Sequence, residues 1–193
     1  MNNPPVVGIA GWSDSGKTTL LTYFLARLSE QGLRVNVVKH SHHRLGPDVP
    51  GKDNVRLLDA GAANVLISSP LQPWQAPNIG IQAEPALKDL LSSLPPADLV
   101  LLEGFKKEAI PKLEIYRSVL GMPALYPDDP NVIAVASDTA PPAGPSGRIW
   151  LDINQPAQVL SWLQIFMDLQ SPGHGYGYSI KGIPARDFAV QML

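Results

Sequence analysis

The sequence contains no cysteine, so a disulfide framework, a cysteine-held zinc site and a thiol nucleophile are all excluded. Acidic and basic residues nearly cancel, 17 against 15, for a formal net charge of -2. That balance excludes a protein that coats nucleic acid or an anionic membrane by bulk attraction, and leaves room only for a local basic patch. No apolar run approaches the ~20 residues that span a bilayer; the longest, such as Leu99–Leu102, have the length of a strand. The opening Met1-Asn2-Asn3-Pro4-Pro5 has neither the basic nor the apolar region of a signal peptide. The cytoplasm is therefore the expected compartment, with neither a membrane nor a nucleic acid as partner.

Proline and glycine are plentiful, 20 and 16 in 193 residues, so several connections must be long, and such loops commonly carry function. Between them the chain alternates strand and helix signals. Val6–Ala10 is a short apolar run of the buried parallel kind. From Lys17 to Gln31, Leu20, Leu21, Phe24, Leu25 and Leu28 recur at helical spacing, and Gly32 follows as a stop. Arg34–Lys39 reads as a second strand, residues 40–51 as an irregular loop, Asp53–Ala60 as a short helix and Asn64–Ser68 as a third strand. That alternation implies right-handed crossovers and a parallel sheet.

Pro70, Pro73 and Pro77 then break the chain. A helix over Glu84–Leu94 follows, then a buried strand at Leu99–Leu102, and Lys112–Tyr116 alternates like a strand with one wet face. Val132–Ala136 reads as another buried strand and Arg148–Ile153 as a short run. The last helix presents Val159, Leu160, Leu163, Phe166 and Met167 on one face. Residues 1–170 thus form the expected α/β domain with a mostly parallel sheet. Residues 171–193, rich in Gly, His and Tyr without a period, form a segment of different character, either a flexible tail or an arm that packs on a partner subunit.

Chemistry concentrates first in Gly11-Trp12-Ser13-Asp14-Ser15-Gly16-Lys17-Thr18, which fits G-x-x-x-x-G-K-[ST] between a strand and a helix. Six residues can point successive backbone N–H groups at one phosphate only if the bends lack Cβ atoms, hence Gly11 and Gly16. The helix that follows offers its unpaired N–H groups and positive dipole end to the same anion. Lys17 adds a full charge at the β- and γ-phosphates, and the Thr18 hydroxyl is placed to ligate Mg²⁺. Trp12 and Asp14 occupy free positions of the loop; Asp14, Ser15 and Thr19 complete its lining. A phosphate-bound Mg²⁺ calls for a second carboxylate at the end of a neighbouring buried strand, and Glu103, after Leu99–Leu102, supplies it. Lys17 and Glu103 are the candidate catalytic residues, and Thr18 and Glu103 the candidate metal ligands. Asp98, at the strand's other end, is expected far from the phosphates.

Guanine can donate N1–H and N2–H₂ to the two oxygens of one carboxylate; adenine cannot. Val132–Ala136 delivers Ser137 and Asp138 to the carboxyl edge of the sheet, where open α/β sheets bind ligands, although an ordinary turn Asp reads equally well there. Lys39-His40-Ser41-His42-His43 opens the first long loop at the same edge. Binding of an anion by Lys39, His40 and Arg44, ligation of a transition metal by the imidazoles, and a merely solvated loop are its three readings, of which oxygen-preferring phosphate chemistry favours the first.

Taken together, Gly11–Thr19, the His-rich loop ending in Pro50-Gly51-Lys52-Asp53, Ala60-Gly61-Ala62, Glu103-Gly104-Phe105-Lys106, Ala134–Asp138 and Leu151-Asp152-Ile153-Asn154 resemble the MobB family of molybdopterin-guanine dinucleotide biosynthesis adapter proteins. The resemblance spans about residues 6–170 and is most specific in the His-rich loop and in Glu103–Lys106. It implies a P-loop NTPase-like fold and a GTP- and Mg²⁺-binding adapter with weak GTPase activity. That adapter would work beside the guanylyltransferase that joins GMP to molybdopterin, as a homodimer, and the resemblance adds weight to Glu103 at the metal and Asp138 at the base. The residues themselves also admit a small-molecule kinase acting on a metabolite held by residues 39–53. Such kinases close an Arg-rich lid over the phosphates, whereas the seven arginines here form no cluster and Arg117 and Arg148 stand alone. No Gln or Asp beside the phosphate loop is marked out to orient a water, so slow turnover is expected.

Overall fold

A computed structural model describes residues 4–40, 53–69, 85–143 and 147–170. Seven strands form one sheet in the order β3-β2-β4-β1-β5-β6-β7. They are β1 (Val6–Ala10), β2 (Val35–His40), β3 (Asn64–Ser68), β4 (Leu99–Glu103), β5 (Lys112–Tyr116), β6 (Val132–Ser137) and β7 (Ile149–Asp152). Every pairing is parallel, so the sheet is parallel throughout. The helices are α1 (Lys17–Glu30), α2 (Asp53–Asp59), α3 (Leu87–Ser93) and α4 (Pro156–Gln170). The expected strands appear within one residue or so of their expected ends. The loop expected over 40–51 lies outside the described residues beyond His40, as do the proline breaks at 70, 73 and 77 and residues 171–193; the helix expected over Glu84–Leu94 is shorter, starting at Leu87 after an extended Ala86 and ending at Ser93.

Parallel strands are buried on both faces, and two apolar layers cover this sheet. On one face Leu21, Phe24, Leu25 and Leu28 of α1 pack with Leu57 of α2 and with Trp162, Leu163 and Phe166 of α4 over the sheet residues Val7, Ile9, Leu113 and Ile115. The five apolar positions that give α1 its helical period are its five buried residues. On the other face Leu90 of α3 joins Val38, Val100 and Leu102, with Phe105 and Ile110 alongside. Among the described residues no helix is long and apolar enough to cross a membrane.

The β4–β5 connection positions the site. Both strands flank β1, yet only residues 104–111 join them, fewer than a parallel crossover ordinarily needs. Register explains the economy. Glu103 ends β4 opposite Ile9, and Lys112 starts β5 opposite Gly8, so the chain crosses β1 while stepping back by a single position. Gly8 allows the crossing, because a Cβ there would lie 3.1 Å from Lys112 Cγ and 3.2 Å from Ile110 Cδ1. Starting so high, β5 runs past the end of β1 and alongside the loop that follows it.

The wet face expected of β5 is absent: Lys112 and Glu114 are 1% and 0% exposed, because the chain after β5 folds back over them. Glu114 accepts hydrogen bonds from the backbone N–H groups of Leu125 and Tyr126 at 2.7 and 2.8 Å. Burial pushes its carboxyl above the usual glutamate range, against the pull of those two donors. Lys112 Nζ donates to Asp129 Oδ2 at 2.8 Å and to the Glu108 carbonyl. Alternation of polar and apolar residues signals two different faces, but it does not distinguish water from a buried ion pair on the polar one.

Lys112→Met keeps the bulk and removes the charge. Breaking a buried pair from one side costs about 3–5 kcal/mol; with Asp129 still 20% exposed at its side chain, the lower end, about 3 kcal/mol, is expected in urea unfolding. Burial raises the Asp129 carboxyl, but bonds from Lys112 and Asn131 outweigh it and hold the group below its ordinary value. Its contribution to stability is therefore present above the unfolded aspartate value and fades as pH falls through the lowered one, and the variant loses the part of that acid dependence that Lys112 supplies, the Asn131 bonds keeping the rest.

Candidate functional site

The turn from β1 into α1 forms the core of the site. Gly11 has φ 144° and Gly16, at the N-cap of α1, φ 96°. At Gly11 a Cβ would sit 2.5 Å from the Ile115 carbonyl oxygen and 2.9 Å from Ser15 Oγ, a collision with the neighbouring strand that no rotamer relieves. Asp14, at φ 62°, is the one non-glycine residue in the left-handed region among those described; Asp tolerates that conformation better than most residues. No side chain caps the start of α1, so the first-turn amides of Lys17, Thr18 and Thr19 are left for an anion. Ser15 is buried, and its Oγ has no hydrogen-bond partner among the described residues.

Lys17 Nζ donates to the Trp12 carbonyl at 2.6 Å, folding back over its own loop. Its pKa lies below the ordinary lysine value: burial is the main cause, Glu103 opposes it, and Lys106 and Lys39 add to it. A phosphate anion in the loop reverses this balance by favouring the charged form. Nucleotide binding is thus expected to take up a proton on the alkaline side, and affinity to fall as pH rises through the lowered lysine value. Calorimetry in buffers of different ionisation enthalpy checks the uptake.

Glu103 lies in the next strand, 4% exposed. Its Oε1 accepts from Thr18 Oγ1 at 3.1 Å, and Lys39 Nζ lies 3.3 Å from each carboxylate oxygen. Oε2 is within ionic reach of Lys39 but accepts no hydrogen bond of good geometry among the described residues. The pair suits a hard divalent cation: adjacent ligands at the ~2.1 Å distance of octahedral Mg²⁺ stand about 3 Å apart, close to the Thr18–Glu103 separation, and a buried carboxylate oxygen without a donor suits a metal. Lys17, Thr18, Lys39 and Glu103 are thus brought together beside the loop. His40 lies with its ring 5.5 Å from that of Phe105. The remaining loop residues, including Arg44, lie outside the described part, within which no three His, Cys, Asp or Glu residues form a metal cluster. Asp98 accepts from the Arg34 backbone N–H at 2.7 Å, at the opposite end of β4.

Ser137 ends β6 and Asp138 follows it, at the same sheet edge as the loop. Ser137 is buried, with its hydroxyl engaged by Thr139 Oγ1 and N at 3.0 and 3.1 Å, so it shapes the turn that presents Asp138. Asp138 accepts from Ser118 N at 3.4 Å and pairs with Arg117 Nη1 at 3.5 Å. Arg117, which stands alone in the sequence, is a member of the site here. Its Nε donates to the Ser15 carbonyl at 3.1 Å, and no sequence spacing announces this, because it depends on how far β5 extends beside β1. Trp12, a free position in the motif, is held by Nε1 donation to the Pro123 carbonyl at 2.7 Å and by Lys106 Nζ, 3.8 Å from its ring centre.

A parallel seven-stranded sheet with a glycine-bounded phosphate loop between β1 and α1, and a carboxylate at the end of the adjacent β4, defines a P-loop NTPase-like protein. Residues 6–138 match the family described as MobB, molybdopterin guanine dinucleotide synthesis protein B, and the chain belongs to that family. It is 37% identical over 168 residues to the molybdopterin-guanine dinucleotide biosynthesis adapter protein of Haemophilus influenzae, covering 85% of this chain and 90% of that one. With the Escherichia coli protein of the same name it shares 40% over 141 residues, 69% of this chain and 78% of the other. The crystal structure of Bacillus subtilis MobB matches with a TM-score of 0.53 at 25% identity, over 88% of this chain and 99% of that one.

Proposed function

We propose that this protein is a GTP-binding adapter of molybdopterin guanine dinucleotide biosynthesis, with slow GTPase activity, working beside the guanylyltransferase of that pathway as a homodimer. The observation that carries the nucleotide reading is the convergence of an uncapped helix start, Lys17, Thr18 and Glu103 on one glycine-bounded loop. The names of the relatives support the pathway.

In this reading the backbone amides of Gly11–Thr18 and the Lys17 ammonium hold the β- and γ-phosphates. Lys17 leaves the Trp12 carbonyl to do so. Thr18 and Glu103 would hold Mg²⁺, which would neutralise charge on the phosphate oxygens. Lys39, beside Glu103, stands within the site as a cation for the phosphates or for an anionic substrate. Asp138 accepts from the guanine edge. Hydrolysis is slow because Arg117 is already committed to Ser15 and Asp138, and a free cationic finger alone is worth ~10³–10⁵ in rate.

Trp12 emission titrated with GTP and with ATP, each with Mg²⁺, tests binding and base preference together. GTP-selective binding with turnover stimulated by the guanylyltransferase, or with negligible turnover, supports the reading. Fast ATP consumption stimulated by a metabolite overturns it in favour of a kinase.

A further inference from the structure

The proposed function uses Arg117 only as a cation withheld from hydrolysis and gives its placement no role of its own. Arg117 follows β5 directly, and its guanidinium joins two elements otherwise separate in the site: Nε donates to the Ser15 carbonyl on the phosphate loop at 3.1 Å, and Nη1 lies 3.5 Å from Asp138 Oδ2. Between them it lies over bare backbone, since a Cβ on Gly16 would come within 3.8 Å of Nη2 and 3.9 Å of Nε. The residue after it, Ser118, gives its backbone N–H to the other oxygen, Asp138 Oδ1, at 3.4 Å. Two consecutive residues thus face the two oxygens of one carboxylate, one with an ion pair and one with a long backbone hydrogen bond, and the first of them also holds the loop.

We propose that Arg117 is the positioning residue for base selection, aiming the Asp138 carboxylate and coupling it to the phosphate loop; this rests on Asp138 as the guanine reader. A carboxylate on a turn samples several rotamers. A planar guanidinium with donors in a fixed fork holds it in one. Discrimination between bases depends on the donors of the correct base meeting acceptors already in place, so the fork acts on selectivity more than on phosphate affinity. It also makes the two halves of the site interdependent: filling the loop with phosphate bears on Ser15, and through Arg117 on Asp138. Arginine suits this role better than lysine, because its Nε and Nη1 approach Ser15 and Asp138 from two atoms fixed in one plane, whereas an ammonium is a point charge on a flexible stem that sets no such direction.

The test compares GTP and ATP affinities, read by Trp12 emission and calorimetry, for the full-length protein and for Arg117→Ala, Arg117→Lys, Asp138→Ala and Arg117→Ala/Asp138→Ala, with melting of each nucleotide-free protein alongside. Arg117→Ala is expected to lower the GTP-to-ATP affinity ratio at least tenfold, with a nucleotide-free melting temperature close to that of the parent. Arg117→Lys is expected to recover affinity for both nucleotides while the ratio stays low. The double variant is expected to be no less selective than Asp138→Ala. A parent that prefers GTP and an Arg117→Ala protein with the same ratio overturn this inference alone. A parent without preference overturns both it and the guanine reading. Should Arg117→Ala fail to fold or to bind either nucleotide, Arg117→Lys decides: an intact ratio overturns the proposal and a low one supports it.

Discussion

Lys17→Ala is expected to weaken GTP binding by at least roughly 10²-fold while leaving the fold in place. Each hydrogen bond to a charged group is worth about 1.5–3 kcal/mol, and an ammonium reaching the β- and γ-phosphates makes two. Without nucleotide, the Lys17 ammonium has one partner in its own loop, the Trp12 carbonyl, and is pressed below its ordinary pKa by burial and by the cations Lys106 and Lys39. Its charge is therefore held at a cost in the free protein that phosphate binding relieves. The truncated protein should melt at or slightly above the parent temperature without nucleotide and lose the upward shift that GTP and Mg²⁺ give the parent. A GTP titration indistinguishable from the parent removes the loop from the site.

How much of this was legible in the sequence follows from the range of each interaction. The phosphate loop is local: its glycines, its lysine and the strand and helix on either side lie within a few residues, and the structure has them where spacing puts them. Glu103 was legible for a similar reason, since an apolar run ending in a carboxylate marks the carboxyl edge of a parallel sheet. Arg117 was not. Its contact with Ser15 spans a large separation in sequence and exists because β5 pairs high on β1, a register set by the short 104–111 connection and by the missing side chain at Gly8. The polar face of β5 misled for a related reason. Lys112 and Glu114 alternate with apolar neighbours as a solvated face does, yet each has its partner in the chain after β5, in Asp129 and in the backbone at Leu125 and Tyr126.

Asp138→Asn is expected to invert base preference, which separates a reader of guanine from a turn aspartate. The parent carboxylate can accept both N1–H and N2–H₂ of guanine. An asparagine amide keeps one acceptor and turns a donor toward the N2 amino group, leaving two donors face to face; an unpaired buried donor costs about 1–3 kcal/mol, or up to roughly 10²-fold in affinity for GTP. Xanthine carries an oxygen in place of that amino group, so the same amide can accept from N1–H and donate to O2, and XTP should gain about what GTP loses. ATP, which presents neither pattern, should change least, and the gap between the three nucleotides isolates base recognition from the phosphate contacts common to all. The substitution also removes the charge opposite Arg117, so part of the loss is one of aim rather than of acceptor; that part appears equally for GTP and XTP and cannot by itself reverse their order. Competition of GTP, XTP and ATP against one another, read through Trp12, checks the result, and an unchanged order of preference assigns Asp138 to the turn and not to the base.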